Sequence, residues 1–304
     1  MHTVIVPNRF TKDTMGSLIN NVISSDLEPK NKAICFDFNN LNFIEPSGVT
    51  ILGNIFEWLK ARGVEIDIAA PKSVPTGKHS PLMYLDDSKF FKRYVGRTLY
   101  NQNATVRDTT LELENVTYSN SFQWLESKFA PWLAREMGNL QLETVEPIRM
   151  CFGEIFNNIK DHAQENIGCI FAQHYPKNNE INISISDFGI GIPNNIRKIE
   201  PSLTDAEAMA KAIEEGYSSK STPQNRGAGL FTLKKNVVEN YGGKVYIQSF
   251  HGILECEQNN LNEVWVNSKH GNSIYPGTFI EVILDTRNFE DEITDNEEEF
   301  KWDL

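Results

Sequence analysis

Residues Ile181-Asn182-Ile183-Ser184-Ile185 alternate apolar and polar side chains and run directly into Asp187-Phe188-Gly189-Ile190-Gly191. A period of two marks a half-buried strand. An acid therefore stands where a strand ends, followed by two glycines one residue apart. That order suits a loop where a ligand approaches the backbone, because glycine turns freely and carries no Cβ. Two familiar motifs share letters with it, and both fail on their companions. A protein kinase would add a Gly-rich loop, a Val-Ala-Ile-Lys strand and a His-Arg-Asp loop, none of which occurs. A dinucleotide fingerprint would place glycine at 194, where Asn194 stands after Pro193.

The chain is 304 residues long, which favours two domains, and its 40% hydrophobic content is enough for ordinary cores. The formal net charge of -12 is unevenly placed: nine acids against Arg287 and Lys301 give the segment from Asp285 to Leu304 a charge of -7. Such a run reads as a solvated tail in preference to an arm for a basic partner. The overall charge disfavours nucleic acid as a partner. Cys35, Cys151, Cys169 and Cys256 are far apart, without metal-ligand or disulfide spacing, as in a reducing cytoplasm. No stretch approaches the roughly 18 apolar residues of a membrane span, and the N-terminus has no basic, apolar leader. A cytoplasmic protein with no membrane partner is expected.

Residues 1–115 read as a small α/β domain. Strands are expected at Thr3–Val6, Ala33–Phe38 and Val64–Ala69, and helices at Thr11–Ser25, from Pro46 to Arg62, and at Leu82–Tyr94. Val49, Leu52, Phe56 and Leu59 hold helical spacing, Pro46 suits a first turn, and Gly63 ends the helix. Gly77-Lys78 invites a P-loop reading, but Lys72 replaces its first glycine and His79 its Ser/Thr. The strand, Phe43-Ile44-Glu45-Pro46-Ser47-Gly48, helix, Gly63 and strand resemble a STAS domain, the fold of anti-anti-sigma factors. Phosphorylated members carry two serines after the acid, and Pro46 stands here in the first position. Ser47 reads as a helix N-terminal residue satisfying a free backbone amide, ahead of a phosphate acceptor.

Residues 116–285 hold the richer constellation, and residues 286–304 the acidic tail. Ser121–Met137 reads as a helix kinked near Pro131, and Pro147 opens another that runs to about Ala163. At about 100° per residue, Glu154, Asn158 and Asp161 share one side of it. A solvated Glu–Asn pair is one reading. A water-and-cation site is the other, favoured because Asn157-Asn158 is a poor helix interior and Mg²⁺ takes oxygen ligands. Strands at Gly168–His174 and Ile181–Ser186 lead into the Asp187 loop. A polar segment with a short helix at Asp205–Glu215 follows. Asn225-Arg226-Gly227-Ala228-Gly229-Leu230 then starts a further helix, whose free amides and dipole suit phosphate. Val245–Ser249 and Gly277–Leu284 close the domain as strands.

Glu154-x-x-x-Asn158-x-x-x-His162, Asp187-x-Gly189-x-Gly191, Asn225-Arg226-Gly227-x-Gly229-Leu230 and Gly277-Thr278 occur in that order. Together they resemble the N box, two glycine boxes and final threonine of the GHKL superfamily, which includes histidine-kinase catalytic domains, anti-sigma serine kinases, type II topoisomerases, MutL and Hsp90. The resemblance covers about residues 120–285. It implies an α/β-sandwich, Bergerat-type ATP-binding domain behind the STAS-like one. It further implies that Asp187 accepts a hydrogen bond from the adenine amino group, with Gly189 and Gly191 against the base and Thr278 beneath it. Asn158, within the box that ends at His162, would hold Mg²⁺, and Glu154 would orient or deprotonate the attacking water or hydroxyl. Residues 194–229 would form a lid, with Gly227 and Gly229 admitting phosphates and Lys220 reaching the γ-phosphate.

Three functions compete. A sensor histidine kinase needs an acceptor histidine on a helical hairpin before the ATP domain, and only His2 and His79 precede residue 140. A serine/threonine kinase of the anti-sigma type fits the fusion to a STAS-like domain, but Pro46 removes the best acceptor. A Mg-ATP-binding regulatory protein, in which binding or slow hydrolysis switches partner interactions of the STAS-like domain, fits Glu154 and stands slightly ahead. The partners expected are ATP and a regulatory protein or substrate, and a homodimer is compatible with the chain.

Overall fold

The computed structural model describes residues 1–74, 80–162, 167–217, 228–259 and 261–289. It is a mixed α/β structure, as the sequence implies. The first part contains β1 (His2–Ile5), β2 (Arg9–Phe10), α1 (Met15–Val22), β3 (Ala33–Asp37), β4 (Phe43–Ile44), α2 (Pro46–Ala61) and β5 (Glu65–Ala69), then α3 (Pro81–Asp87) and α4 (Phe90–Val95). Strands β1, β3 and β5 form a parallel sheet in the order β1-β3-β5. The second part begins with β6 (Thr110–Thr117), α5 (Tyr118–Trp124), a π turn at Leu125–Phe129, α6 (Ala130–Glu136) and α7 (Leu142–His162). It continues through β7 (Ile167–Tyr175), β8 (Glu180–Asp187), α8 (Ile192–Ile196), α9 (Asp205–Ala212) and α10 (Ala228–Leu233), which runs into a second π turn, Lys234–Asn240. Strands β9 (Lys244–Gln258) and β10 (Val264–Asp285) complete an antiparallel sheet of order β6-β7-β8-β10-β9.

Period-two alternation gives this sheet two apolar faces. Ile170, Ile183, Ile185, Ile280 and Val282 pack with Ile148, Phe152 and Ile155 of α7. Cys169, Phe171, Tyr275 and Phe279 point the other way, into one core with Phe36, Phe56 and Leu59 of the N-terminal part. On β6 a register shift between Leu111 and Glu114 breaks the alternation. Leu111 and Leu113 accordingly join opposite cores, since an extra residue in a strand re-aims the side chains beyond it.

Helix α2 lies between the two sheets. Thirteen of its 16 residues are buried, the pattern of a helix covered all round. The Thr50 hydroxyl donates to the Ser184 carbonyl at 3.3 Å, and Tyr84 Oη donates to Gln173 Oε1 at 3.2 Å. Lys12 pairs with the buried Glu281 at 2.7 Å. A Cβ on Gly53 would lie 3.0 Å from both methyls of Leu113. Gly53→Val therefore forces α2 away from β6 and is expected to cost about 1–3 kcal/mol. The readout is thermal unfolding, and an unchanged midpoint would show that the contact is loose.

Several local expectations need correction. Ser47 does not cap α2: Glu45 is the N-cap residue, and the Ser47 hydroxyl is fully buried without a hydrogen-bond partner among the described residues. Helix α1 starts at Met15, not Thr11, because Thr14 Oγ1 donates to the Arg9 carbonyl (2.7 Å) and accepts from Thr11 N–H (3.0 Å), holding residues 11–14 in turns. The single helix expected at Leu82–Tyr94 is two, broken at Lys89 with φ 60°. Helix α7 begins five residues before Pro147, which lies inside it. Among the described residues no helix is long and apolar enough to cross a membrane. Gly77, Lys78 and the tail from residue 290 lie outside the described residues.

Candidate functional site

Asp187 closes β8 on the same face as Ile183 and Ile185, and only 6% of it is exposed. Its Oδ1 accepts the Gly189 N–H at 2.7 Å, a side-chain turn that acids form readily. Burial pushes the Asp187 carboxyl up to about 7, against the pull of that hydrogen bond. Thr278 of β10 is its register partner, so the two side chains stand on one face about 4.5–5.5 Å apart at Cβ. Gly277 takes φ 96°, and a Cβ there would come within 2.6 Å of Gly189 N and Phe188 Cα. Gly191 takes φ 74°, where a Cβ would lie 2.5 Å from the Phe250 ring. Both positions require glycine for conformation and for space.

Glu154 is half-buried and Asn158 exposed, one turn apart on α7. Gly229 of α10 rests on them: a Cβ there would lie 2.8 Å from Asn158 Nδ2 and 3.6 Å from Glu154 Cβ. The two helices are tied further along by Cys151 Sγ–H to the Thr232 carbonyl (3.6 Å) and Asn236 Nδ2 to the Pro147 carbonyl (3.4 Å). Leu230, beside Gly229, and Ile192, beside Gly191, pack against one small cluster of Ile196, Ala208 and Ala212.

The expected residues thus fall into two groups joined by that cluster. Asp187, Gly189, Gly191 and Thr278 form one, and Glu154, Asn158 and Gly229 the other. His162 ends α7 with its side chain outside the described residues; Lys220, Asn225, Arg226 and Gly227 also lie outside them. The short helix expected at Asp205–Glu215 is α9, ending at Ala212 and held by a Thr204–Glu207 capping box.

Sequence reasoning missed Ser249 and the face behind the site. Ser249 is fully buried; its hydroxyl accepts from Ile192 N–H at 2.9 Å and donates to the Gly277 carbonyl at 2.5 Å. It therefore ties the loop after Asp187 to the turn before Thr278. Nothing in the pattern Tyr246-Ile247-Gln248-Ser249 marks it. On the reverse face, Ser186 Oγ is hydrogen-bonded to Tyr275 Oη. The Phe188 ring packs 5.8 Å from Trp58 of α2 and 5.4 Å from Tyr275, centroid to centroid.

Residues 143–288 match the family described as histidine kinase-, DNA gyrase B-, and HSP90-like ATPase. The match supports a GHKL-type ATPase domain over this stretch. Among solved structures, the ATPase region of Saccharomyces cerevisiae topoisomerase II aligns at 12% identity with a TM-score of 0.23, covering 38% of this chain and 31% of that one. The same region bound to ICRF-187 (dexrazoxane) aligns at 13% identity with a TM-score of 0.21, covering 37% and 31%. This chain spans about a third of the length of those structures. No curated protein matches it.

Proposed function

We propose that the protein is a Mg-ATP-binding regulatory protein in which ATP binding or slow hydrolysis at residues 143–288 switches partner interactions of a STAS-like N-terminal domain. The observation that carries this reading is the position of α2 directly behind the strand that bears Asp187. Side chains alternate along β8, so Asp187 opens on the helical side while Ser184 and Ser186 face the N-terminal part. Phe188, between Asp187 and the first glycine, touches Trp58 of that helix. A ligand that reorders the Asp187 loop must move Phe188 against α2, because packed interiors transmit displacement.

In this reading Asp187 accepts from the adenine amino group, Gly189 and Gly191 lie against the base, and Thr278 sits beneath it. Gly227 and Gly229 admit the phosphates, and Lys220 reaches the γ-phosphate. The donor set fits Mg²⁺: Asn158 is an exposed amide on the face against which Gly229 rests, and Mg²⁺ is ordinarily held by one or two protein oxygens, phosphates and water. The ion would supply charge neutralisation on the phosphates. Glu154, one turn from Asn158, orients or deprotonates the attacking water. The burial of Ser47 removes it as an acceptor in the folded chain, so the serine/threonine kinase reading requires an acceptor on another protein.

Calorimetric titration with Mg-ATP tests the reading, and absence of binding overturns it. Glu154→Ala is expected to bind within about threefold of the parent and to hydrolyse at least about 100-fold more slowly, the usual contribution of a general base. Normal hydrolysis by that variant would remove Glu154 from the role. Hydrogen exchange in α2 should slow on binding; exchange unaltered there would separate the nucleotide site from the N-terminal part.

A further inference from the structure

We propose that Ser249 is a positioning residue that fixes the Thr278 hydroxyl as an acceptor toward the base, making this end of the site selective for a base edge that carries an amino group. The inference rests on the nucleotide reading above. A serine hydroxyl has one hydrogen and two lone pairs. The Ser249 hydrogen is committed to the Gly277 carbonyl at 2.5 Å, and one lone pair to Ile192 N–H at 2.9 Å. Thr278 Oγ1 lies 3.5 Å away. With the Ser249 hydrogen used elsewhere, any hydrogen bond across that contact has Thr278 as its donor, into the remaining lone pair. Its own lone pairs are then left to face the ligand.

The fold places Ser249 to do this. Along β9 and β10 the register jumps between Phe250↔Tyr275 and Gln248↔Phe279. Ser249 therefore stands opposite three residues, 276–278, and such irregularities re-aim side chains. Full burial keeps water from the Ser249 hydroxyl. Thr278 is also the register partner of Asp187, whose carboxylate is acceptor-only once ionised, above about pH 7. The two neighbours then offer acceptors alone. A purine amino group donates to them, whereas a purine carbonyl meets acceptor with acceptor. Rejection built from an unpaired polar group discriminates more strongly than a change of shape.

The test compares ATP with inosine triphosphate, which carries a carbonyl where ATP carries the amino group. The parent is expected to bind ATP at least about tenfold more tightly, the scale of one hydrogen bond lost. In Ser249→Ala the Thr278 hydroxyl is free to rotate and donate, and the preference should narrow by about tenfold. Ser249→Cys, close in size with a weaker donor, serves where the alanine variant fails to fold. Thr278→Val should abolish the Thr278 share of the preference, and adding the Ser249 substitution to it should change nothing further. A purely structural role for Ser249 would lower the unfolding midpoint and leave the ATP-to-inosine ratio intact; that result, or additive effects of the two substitutions, overturns the inference. Binding of ATP and inosine triphosphate alike by the parent overturns it too while sparing the nucleotide reading. Binding of neither fails the nucleotide reading itself.

Discussion

A chain shortened to residues 109–304 is expected to aggregate, although it retains the whole ATP-binding stretch. The reason is the second face of its sheet. Leu113, Phe171, Tyr275 and Phe279 are 3% exposed or less and are covered by the N-terminal part. Re-exposing four such side chains at roughly 2 kcal/mol each costs on the order of 8 kcal/mol. That is comparable with the whole stability of an ordinary domain. The uncovered patch would also be contiguous, the kind that drives association. The soluble fraction and binding of a hydrophobic dye report the outcome. A monomeric, dye-free fragment with a sharp melt would show that the sheet does not depend on α2 and its neighbours. Lys12–Glu281 and Thr50–Ser184 add polar ties across the same boundary, but their gain is small beside the apolar term.

This dependence explains what was legible in the sequence. Local periodicity located β8, because Ile181, Ile183 and Ile185 alternate without interruption, and it put Glu154 and Asn158 on one side of α7. It could not show that α2 is covered on both sides. The residue that completes the cover, Ser184, is 134 positions from Thr50, and a helix packed by two sheets differs from an amphipathic one only through such distant contacts. The closing strands were underestimated for a related reason. The pattern predicts them at Val245–Ser249 and Gly277–Leu284, but β9 continues to Gln258 and β10 begins at Val264. The added hairpin is polar on one face, where its strands are joined by Asn267 Nδ2 to Glu255 Oε2 (3.1 Å) and Lys269 to Glu255 (2.8 Å). Cross-strand pairs of this kind hold a ladder together without an apolar alternation to announce it. Ser249 was invisible because its partners, Ile192 and Gly277, meet it only once the sheet has formed.

The Asp187 carboxylate gives the other large effect, in which binding and stability move in opposite directions. In an unfolded chain an aspartate titrates near 3.9, whereas here burial pushes Asp187 up to about 7. Between those values the folded protein binds more protons than the unfolded one, so stability falls as pH rises from about 4 to about 7. Above that window the ionised, buried carboxylate costs on the order of 4 kcal/mol. An asparagine is neutral throughout and can still accept the Gly189 N–H through its carbonyl oxygen. Asp187→Asn is therefore expected to unfold several degrees above the parent at pH 8 and to lose that advantage by pH 4.5. ATP affinity should move the other way. On the proposed adenine contact, replacing the charged acceptor forfeits a charge-assisted hydrogen bond, weakening binding roughly 10- to 100-fold. In the parent, ATP affinity should climb as pH rises to about 7 and then level off, with proton release on binding below that pH, since the base favours the ionised acceptor. Unfolding midpoints and calorimetry at three pH values decide it. A variant equally destabilised at pH 4.5 and pH 8 would show that Asp187 ionises freely in the folded chain. An unaltered ATP affinity in Asp187→Asn would move the adenine contact to another residue.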